Sequence, residues 1–340
     1  MKICTVIVTY ANRFHLLKQV VEAALMQGVN KVIIVDNNSH SESKEKLRNY
    51  ELKNLNRIKV IYLEDNTGSA GGYKRGIEEA YKDPECDFIW LLDDDNKPLN
   101  EALDKLRENY LQLEQSNDRS KLALLSLRED RLNYVKSAIM GDSTPYFPVK
   151  NSVLGFHIKQ FPFKISKKVV HRFKEEVPLK ENYVNFPVII PYAPYGGLFF
   201  HKSIIDNILF PDENFYLYSD DHEYTYRITK NNGNIFLIPY SKLKDIDTSW
   251  HIKEKYNLFK TLLFSESSFR VYYTIRNRIY FEMKDLVKNK VIYLINLSLF
   301  QLILKMLSIY YKKNERFNLI KKAIHDAKQG ELGRNENFNF

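Results

Sequence analysis

The stretch Trp90-Leu91-Leu92-Asp93-Asp94-Asp95-Asn96 places three carboxylates directly after an apolar run. Residues 88–92 have the composition of a buried strand, so the acidic triplet is expected at the carboxyl end of that strand. Open α/β sheets bind their ligands at this edge. Because three like charges repel one another, the triplet favours a site for Mg²⁺ or Mn²⁺, which prefer oxygen ligands. A solvated, aspartate-rich turn is the alternative.

The segments before the triplet alternate between strand and helix patterns. Short β-branched or apolar runs predict strands over 3–9, 31–35 and 58–63, and helical spacing predicts helices over 16–26 and around 74–81. Such alternation is typical of an α/β fold with a parallel sheet and right-handed crossovers. The polar residues that follow each strand are therefore expected at one edge of the sheet.

Thr9, Tyr10 and Arg13 follow the first predicted strand, and Asp36 follows the second. An aromatic ring can cover a nucleobase, a carboxylate can accept from a base imide, and an arginine can pair with phosphate. These residues predict a nucleotide site. An aspartate after a strand is also common as a helix N-cap or turn residue.

The segment Asn66-Thr67-Gly68-Ser69-Ala70-Gly71-Gly72-Tyr73-Lys74-Arg75-Gly76 contains four glycines and leads into the helix predicted from its two cations onward. Backbone without side chains can approach a diphosphate closely at a helix start. The glycine spacing differs from the dinucleotide fingerprint G-x-G-x-x-G. The segment predicts a diphosphate contact, with a flexible connection as the alternative.

A second acidic cluster, Asp220-Asp221-His222-Glu223, lies at the start of a predicted helix. A carboxylate there interacts favourably with the helix dipole and stays ionised, which suits a general base. The alternative is an acidic first turn that only stabilises the helix.

Taken together, these motifs resemble the family 2 glycosyltransferases, whose GT-A fold has a mainly parallel, Rossmann-like sheet flanked by helices. The glycine segment and the triple aspartate are most similar to those of bacterial galactofuranosyltransferases and their rhamnosyltransferase-like relatives. The motifs that carry the resemblance are the Thr9–Arg13 loop, Asp36-Asn37, Asn66-x-Gly68-x-x-Gly71-Gly72, Asp93-Asp94-Asp95 and the Asp220–Glu223 cluster.

The resemblance implies roles for individual residues. It makes Asp221 the general base, with Asp220 where many members have glutamate. Asp93, Asp95 and His251 of the Trp250-His251 pair become the metal ligands, although a lone histidine is more often a surface or packed residue. The implied nucleotide-sugar contacts are Thr9, Tyr10, Arg13, Asp36, Asn66, Gly71, Gly72, Arg75, Asp93 and Asp94. The implied acceptor contacts are Gly196, Gly197, Asp220, His222 and Glu223, with a structural bulge as the alternative for the two glycines.

The implied activity is an inverting, metal-dependent sugar transfer. Resemblance favours UDP-galactofuranose as donor, with dTDP-rhamnose as the alternative, and a cell-surface polysaccharide or lipid-linked glycan as acceptor. Two other classes compete with this interpretation. A sugar nucleotidyltransferase also combines a nucleotide-binding α/β domain with acidic metal ligands, and a non-catalytic glycan-binding scaffold could retain the fold.

Composition bounds the domain organisation and the compartment. The 340 residues suffice for a GT-A domain over 1–265, with a nucleotide-sugar half (1–130) and an acceptor half (131–265), and a helical segment over 266–340. Two separated cysteines give no disulfide framework and fit a reducing compartment. Because no secretory signal is visible, we expect a cytoplasmic protein.

Positive charge is concentrated near the C-terminus. Residues 270–330 contain 13 Lys or Arg against 4 Asp or Glu, a surplus equal to the formal charge of +9 of the whole chain. The apolar run 291–311 is interrupted by polar residues, so a basic amphipathic helical pair on the anionic inner face of the cell membrane is favoured over a spanning helix. Packing on the core and a homo-oligomer contact are the alternatives. No motif accompanies the charge that would predict nucleic-acid binding.

Overall fold

A computed structural model of the chain describes residues 1–160, 183–247 and 258–336. Their contacts divide them into two units. Of the described residues, the first unit comprises 1–146, 183–216 and 220–247, and the second comprises 147–160, 217–219 and 258–336. Residues 147–160 therefore belong with the C-terminal region.

Four parallel strands form the N-terminal half of the sheet in the first unit. They are ordered β3-β2-β1-β4. The apolar residues of three of these strands are buried on both faces, as expected of parallel strands covered by helices, whereas those of the edge strand β3 are mostly half-buried. Parallel pairing and the predicted strand positions are thus confirmed. The strands are β1 (Ile3–Thr9), β2 (Lys31–Asp36), β3 (Ile58–Tyr62) and β4 (Phe88–Asp93).

The helices of this half are α1 (Phe14–Met26), α2 (Ser41–Leu52), α3 (Gly68–Lys82) and α4 (Ala102–Leu113). The expected start of α3 near Lys74 is wrong, because the glycine segment itself forms the first turns. A Cβ on Gly72 would lie 2.6 Å from Cγ1 of Val8, and one on Gly76 would collide with Val6. These glycines lie four residues apart on one helix face, so they let α3 pack closely on the sheet.

The other strands of the first unit are β5 (Asn96–Pro98), β6 (Leu122–Arg128), β7 (Val188–Ile190), β8 (Leu198–His201) and β9 (Asn234–Asp245). The sheet continues from β4 in the order β8-β6-β9-β5, and β7 also pairs with β9. Strand β8 is antiparallel to both β4 and β6, whereas β6 and β9 are parallel. This half of the sheet is therefore mixed.

Three further helices belong to the first unit: α5 (Leu132–Met140), α6 (Ile204–Ile208) and α7 (Asp220–Lys230). Helix α7 has three acidic residues in its first turn and two basic residues in its last, which complements the helix dipole at both ends. The predicted helix after the second acidic cluster is thus confirmed.

The second unit contains α8 (Leu258–Phe264), α9 (Ser268–Phe281), a π-helical turn (Glu282–Leu286), α10 (Lys290–Tyr310) and α11 (Asn314–Gln329). Helices α9 and α11 pack together, and the hydroxyl of Tyr272 donates to Asp326 at 2.6 Å. The expected helical C-terminal region is confirmed. Among the described helices, α10 alone has the length and apolar composition of a membrane span, a test that core helices of soluble proteins also pass.

Candidate active site

The carboxyl ends of β1, β2 and β4 lie side by side. Thr9 is in register with Asp36, and the neighbouring Val8 is in register with Asp93. The sequence motifs that follow these strands therefore meet at one edge of the sheet, as predicted.

Arg13 lies among three carboxylates at this edge. Its guanidinium pairs with Asp94 at 2.9 Å, Asp95 at 2.7 Å and Asp247 at 2.6 Å. Burial opposes the charge of Arg13, but Asp94 and Asp247 outweigh that effect and raise its pKa. The hydroxyl of Thr9 donates to Asp94 at 2.8 Å. Arg13, expected to contact phosphate, is therefore engaged by carboxylates of the chain itself.

Arg128 forms a second buried network beside the first. Its guanidinium pairs with Asp93 at 3.2 Å, Asp130 at 3.0 Å and Asp245 at 2.9 Å. It also donates to Oδ1 of Asn96 at 2.7 Å. Sequence reasoning missed Arg128 and Asp130. The available signal was the polar run that follows the apolar strand β6, a pattern like those that follow β1, β2 and β4.

We call this group the strand-edge cluster. Burial together with Asp93 and Asp94 raises the pKa of Asp95 to about 7, and burial raises the pKa of Asp94. Even with the more exposed Arg131, which also pairs with Asp130, three guanidinium groups do not balance six carboxylates, so the cluster is an environment that an added cation would stabilise. Its members are Arg13, Asp93, Asp94, Asp95, Arg128, Asp130, Asp245 and Asp247.

The donor set for the predicted metal is partly visible. Carboxylate oxygens of Asp93 and Asp95 are the ligands that Mg²⁺ and Mn²⁺ prefer, and the unbalanced negative charge fits such an ion. Within the described ranges, no group of three or more His, Cys, Asp or Glu side chains stands in position to hold a metal ion. The expected third ligand, His251, lies outside the described residues. The three-residue metal site stays a prediction.

The two carboxylate oxygens of Asp36 have different surroundings. It is fully buried, and its Oδ1 accepts from the backbone N–H of Ser39 at 3.0 Å. Within the described residues its Oδ2 has no hydrogen-bond partner, and the ammonium of Lys44 lies 3.8 Å away. A buried acceptor without a donor is costly, so this oxygen suits an N–H group of a ligand. Both interpretations of Asp36, turn residue and base contact, are compatible with its geometry.

Side-chain amides hold the turn that begins α3. Oδ1 of Asn66 accepts from the N–H of Gly68 at 2.9 Å, and Oδ1 of Asn37 accepts from the N–H of Thr67 at 2.8 Å. Gly68 has a φ of +71°, and a Cβ there would collide with the backbone of Tyr216. The turn is therefore fixed by its own contacts and is not a flexible connection.

The remaining residues of the glycine segment are also engaged. A Cβ on Gly71 would lie 2.5 Å from Thr67. Arg75 pairs with Glu213 at 3.3 Å, and Lys74 pairs with the same carboxylate at 3.0 Å. Because α3 begins at Gly68, both cations lie within the helix and not at its start.

Gly196 leaves room for groups of the chain itself. A Cβ on Gly196 would lie 2.5 Å from Oδ2 of Asp93 and would overlap with Oδ1 of Asn96. Gly197 has a φ of +101°, and its N–H donates to the carbonyl of Leu91 at 2.8 Å. The glycine pair therefore allows the acidic triplet and the start of β8 to approach each other.

We call residues 220–223 the helix-start cluster. Asp220 is buried and accepts from the hydroxyl of Ser69 at 2.8 Å. Burial, together with the charge of Asp221, raises the pKa of Asp220 to about 8. Asp221 is half-buried, and its Oδ1 accepts from the N–H of His222 at 2.7 Å. Of the two aspartates, Asp221 is the more accessible.

The other members of the helix-start cluster make packing contacts. Glu223 is buried in an ion pair with Arg227 at 2.5 Å, and that guanidinium also donates to the carbonyls of Ile208 and Phe210. The ring of His222 lies 4.7 Å from that of Tyr192. Glu223 thus contributes to the folding of the unit, and its predicted acceptor contact stays a prediction.

A pair of tyrosines with rings in tilted contact lies near both clusters. The ring centroids of Tyr73 and Tyr195 are 4.1 Å apart. The hydroxyl of Tyr73 donates to Oδ1 of Asp93 at 2.7 Å. The hydroxyl of Tyr195 is buried and has no hydrogen-bond partner in the part of the chain that the structure describes. Burial, together with the charges of Asp220 and Asp221, raises the pKa of Tyr195. Sequence reasoning gave neither tyrosine a role.

Comparison with known proteins agrees with this geometry. Residues 5–117 match the family model described as Glycosyl transferase family 2. No curated protein matches the chain. This match supports the predicted family over these residues, while the galactofuranosyl or rhamnosyl subtype stays a prediction.

Two solved structures are similar to the chain. One is GalNAc-T7 with UDP, GalNAc and Mn²⁺, with a TM-score of 0.50, 14% identity and coverage of 72% of this chain and 44% of that one. The other is the mannosyltransferase PcManGT from Pyrobaculum calidifontis with GDP-Man and Mn²⁺, with a TM-score of 0.52, 10% identity and coverage of 96% and 75%. The chain thus spans less than half of the GalNAc-T7 structure. At these identities the likeness bears on the fold, and together with the family match it confirms the GT-A fold.

Proposed function

We propose that the protein is an inverting glycosyltransferase that moves a sugar from a nucleotide-sugar donor to a glycan acceptor. The observation that carries the proposal is the shared sheet edge, where the open Oδ2 of buried Asp36 lies one strand away from Thr9 and two strands away from Asp93. One edge thereby offers an acceptor for a nucleobase and an acidic cluster for a metal-bound diphosphate. The family match over residues 5–117 supports it.

The nucleotide-sugar donor binds at the sheet edge that carries Asp36 and the strand-edge cluster. Oδ2 of Asp36 accepts from the base, and the ring of Tyr10 offers a planar surface beside it. Asp93 and Asp95, with His251 as the third ligand, would hold Mg²⁺ or Mn²⁺. The ion would neutralise charge that develops on the departing nucleoside diphosphate. The Mn²⁺ and the UDP or GDP-Man bound to the two similar structures support this assignment.

The acceptor hydroxyl is activated by the helix-start cluster. Asp221 takes the proton of the acceptor hydroxyl while the oxygen attacks the anomeric carbon. The bond between that carbon and the diphosphate oxygen breaks in the same step, and the nucleoside diphosphate leaves with the electron pair. Since the pKa of Asp220 is about 8, that carboxyl is mostly protonated at neutral pH, which leaves Asp221 as the proton acceptor.

We propose UDP-galactofuranose as the donor, with dTDP-rhamnose as the alternative. The acceptor would be a cell-surface polysaccharide or a lipid-linked glycan. The motifs Asn66-x-Gly68-x-x-Gly71-Gly72 and Asp93-Asp94-Asp95 support this choice. A sugar nucleotidyltransferase remains the rival, but it has no need for a base at the start of α7.

The proposal is tested with the full chain and a panel of nucleotide sugars. Release of nucleoside diphosphate in the presence of Mn²⁺ or Mg²⁺ is expected, with UDP-galactofuranose the best donor. Asp36→Asn should weaken donor binding at least about tenfold, because the base loses a charged acceptor. Asp65→Asn, an exposed aspartate after β3, is the matched control and should bind normally. Release of pyrophosphate would instead indicate nucleotidyl transfer.

Metal dependence has its own test. EDTA should abolish transfer, and Asp95→Ala or His251→Ala should abolish activity and weaken metal-dependent donor binding. Full activity in EDTA would contradict the metal role.

A further inference from the structure

Helix α10 has one buried face and one exposed apolar face. Residues at helical spacing face the interior of the second unit: Tyr293, Asn296, Leu297, Phe300, Leu304 and Ser308. The opposite face exposes large apolar side chains along the whole helix: Val291, Leu294, Ile295, Leu302, Met306, Ile309 and Tyr310. At 21 residues, this exposed stripe is roughly 30 Å long. A continuous exposed apolar surface of this kind marks an interaction site.

Lysines flank this stripe and acidic residues do not. Between Asp285 and Glu315 the chain contains no acidic residue. Exposed lysines lie at both ends of the helix, and one lies within it: Lys288, Lys290, Lys305, Lys312 and Lys313. Within residues 286–314, the charged side chains that accompany the apolar stripe are therefore all positive.

The buried face is fixed inside the second unit. Nδ2 of Asn296 donates to the carbonyl of Asn151 at 2.9 Å, and its Oδ1 accepts from the N–H of Ile158 at 3.1 Å. The hydroxyl of Tyr293 donates to Glu282 at 3.2 Å. These polar contacts tie the N-terminal third of α10 to the second unit, and the buried residues Phe300, Leu304 and Ser308 continue the same face towards the C-terminal end. The helix therefore presents a single apolar face, as interfacial helices do, and is not a lipid-surrounded span.

We propose that the exposed face of α10 docks on an anionic lipid bilayer, with the helix lying parallel to the membrane surface. The apolar side chains enter the boundary between headgroups and acyl chains. The lysines at the helix ends attract anionic headgroups, and Tyr310, at the C-terminal end, has the amphipathic ring that is enriched at this boundary.

Charge favours a lipid surface over a second copy of the chain. A two-fold symmetric contact places the same patch of both copies face to face. Lysines at both ends of α10 would then oppose lysines of the other copy, with no acidic residue of the helix to compensate them. An anionic bilayer satisfies the same charges. This inference goes beyond sugar transfer, and its test requires no enzymatic activity.

The test is co-sedimentation of the full chain with vesicles of phosphatidylcholine, with or without phosphatidylglycerol. Binding to the anionic vesicles should be stronger and should weaken as salt is added, since charge attraction is screened. Leu302→Glu should weaken binding at least about tenfold, because a charge replaces an apolar contact. Leu111→Glu on α4 is the matched control and should leave binding unchanged, since Leu111 is 53% exposed and Leu302 is 52% exposed.

The charged part is tested by Lys312→Gln with Lys313→Gln. Each lost lysine should weaken binding to anionic vesicles about fivefold and leave binding to neutral vesicles unchanged. Lys18→Gln, an exposed lysine of α1, is the control. If Leu302→Glu lowers the melting temperature, Ile309→Glu at the same face provides the second test.

Three results would overturn the proposal. They are equal binding of the wild type and of Leu302→Glu, equal partitioning onto neutral and anionic vesicles, and no partitioning at all. If the wild type does not bind vesicles but is a dimer that Leu302→Glu dissociates, the face is an interface between two copies.

Discussion

The strand-edge cluster and the helix-start cluster contain comparable acidic residues, yet the fold stabilises them differently. In the strand-edge cluster, each carboxylate accepts a hydrogen bond from Arg13 or Arg128. In the helix-start cluster, the guanidinium of Arg227 pairs with Glu223. Asp220 instead has the neutral hydroxyl of Ser69. Each carboxylate of the strand-edge cluster thus has a guanidinium partner, whereas buried Asp220 has only a hydroxyl and a pKa raised to about 8.

This difference matches the two chemical tasks of a sugar transfer. Paired carboxylates keep a fixed geometry, which suits a site that holds a metal-bound diphosphate. A pair of aspartates whose environments differ can separate their protonation states, so that one keeps its proton while the other accepts one. The comparison predicts that loss of a guanidinium from the strand-edge cluster mainly affects stability, and that substitutions at the aspartates of the helix-start cluster mainly affect proton transfer and pH dependence.

The largest effect on stability is expected from Arg128→Met. This change leaves the carboxylates of Asp93, Asp130 and Asp245 without their buried partner. Loss of one member of such a network costs about 3 to 5 kcal/mol in the free energy of unfolding. Urea unfolding at neutral pH measures the loss.

Arg131→Met is the matched control for this prediction. Arg131 also pairs with Asp130, at 3.2 Å, but its side chain is 53% exposed. Exposed pairs contribute about 0 to 1 kcal/mol. Equal losses for the two variants would show that the strand-edge cluster does not depend on buried pairing.

The largest effect on catalysis is expected from Asp221→Asn. The amide keeps the shape of the side chain but cannot take the proton of the acceptor. Transfer should fall about 10²-fold or more, while the fold and donor affinity persist. Steady-state rates with the best donor, together with donor binding, measure both. Near wild-type transfer would move the role of the base to Asp220 or Glu223.

The strands β1 to β4 could be predicted from the sequence, because each is a short, mainly apolar run. The predicted β1 agrees with the structure at both ends, and β2–β4 agree to within one residue. The predicted start of α3 is wrong because glycine is a poor helix former by itself. Close packing of Gly72 on Val8 overrides that propensity, and such packing is a tertiary property.

The individual side-chain contacts at the site could not be predicted in the same way. Arg128 lies 35 residues from Asp93 and 117 from Asp245, and only the sheet order brings them together. Similarly, Asp220 accepts a hydrogen bond from Ser69, which lies 151 residues away in the sequence. Glu223 on the same helix instead pairs with Arg227, one helical turn away. Sequence identifies the strand ends that carry polar residues. The partners that engage each carboxylate depend on the fold.

The pH dependence of stability should separate Asp220 from its neighbours. Its pKa is about 8 in the folded state and about 4 in an unfolded chain, so the folded state holds the proton more tightly. The stability from this group is complete below about pH 4 and is lost as pH rises towards 8. Asp220→Asn removes that loss. The melting temperature of the variant relative to the wild type should therefore rise between pH 5 and pH 9, and a constant difference would contradict the buried, protonated state.

The smallest effects on stability are expected from substitutions at Tyr73 and Tyr195. These substitutions also compare the two clusters most directly. Tyr73→Phe removes a hydroxyl that donates to Asp93 and to the carbonyl of Leu92, so it should cost about 1 to 2 kcal/mol. Tyr195→Phe removes a buried hydroxyl without a partner, so it should be neutral or stabilising by up to about 1 kcal/mol. Thermal unfolding of the two variants measures the contrast. If Tyr195→Phe stabilises the fold but also lowers transfer, the hydroxyl of Tyr195 forms its hydrogen bond with the bound acceptor. If Tyr195→Phe destabilises the fold as much as Tyr73→Phe does, that hydroxyl already has a hydrogen-bond partner, and the proposed contrast between the two tyrosines is wrong.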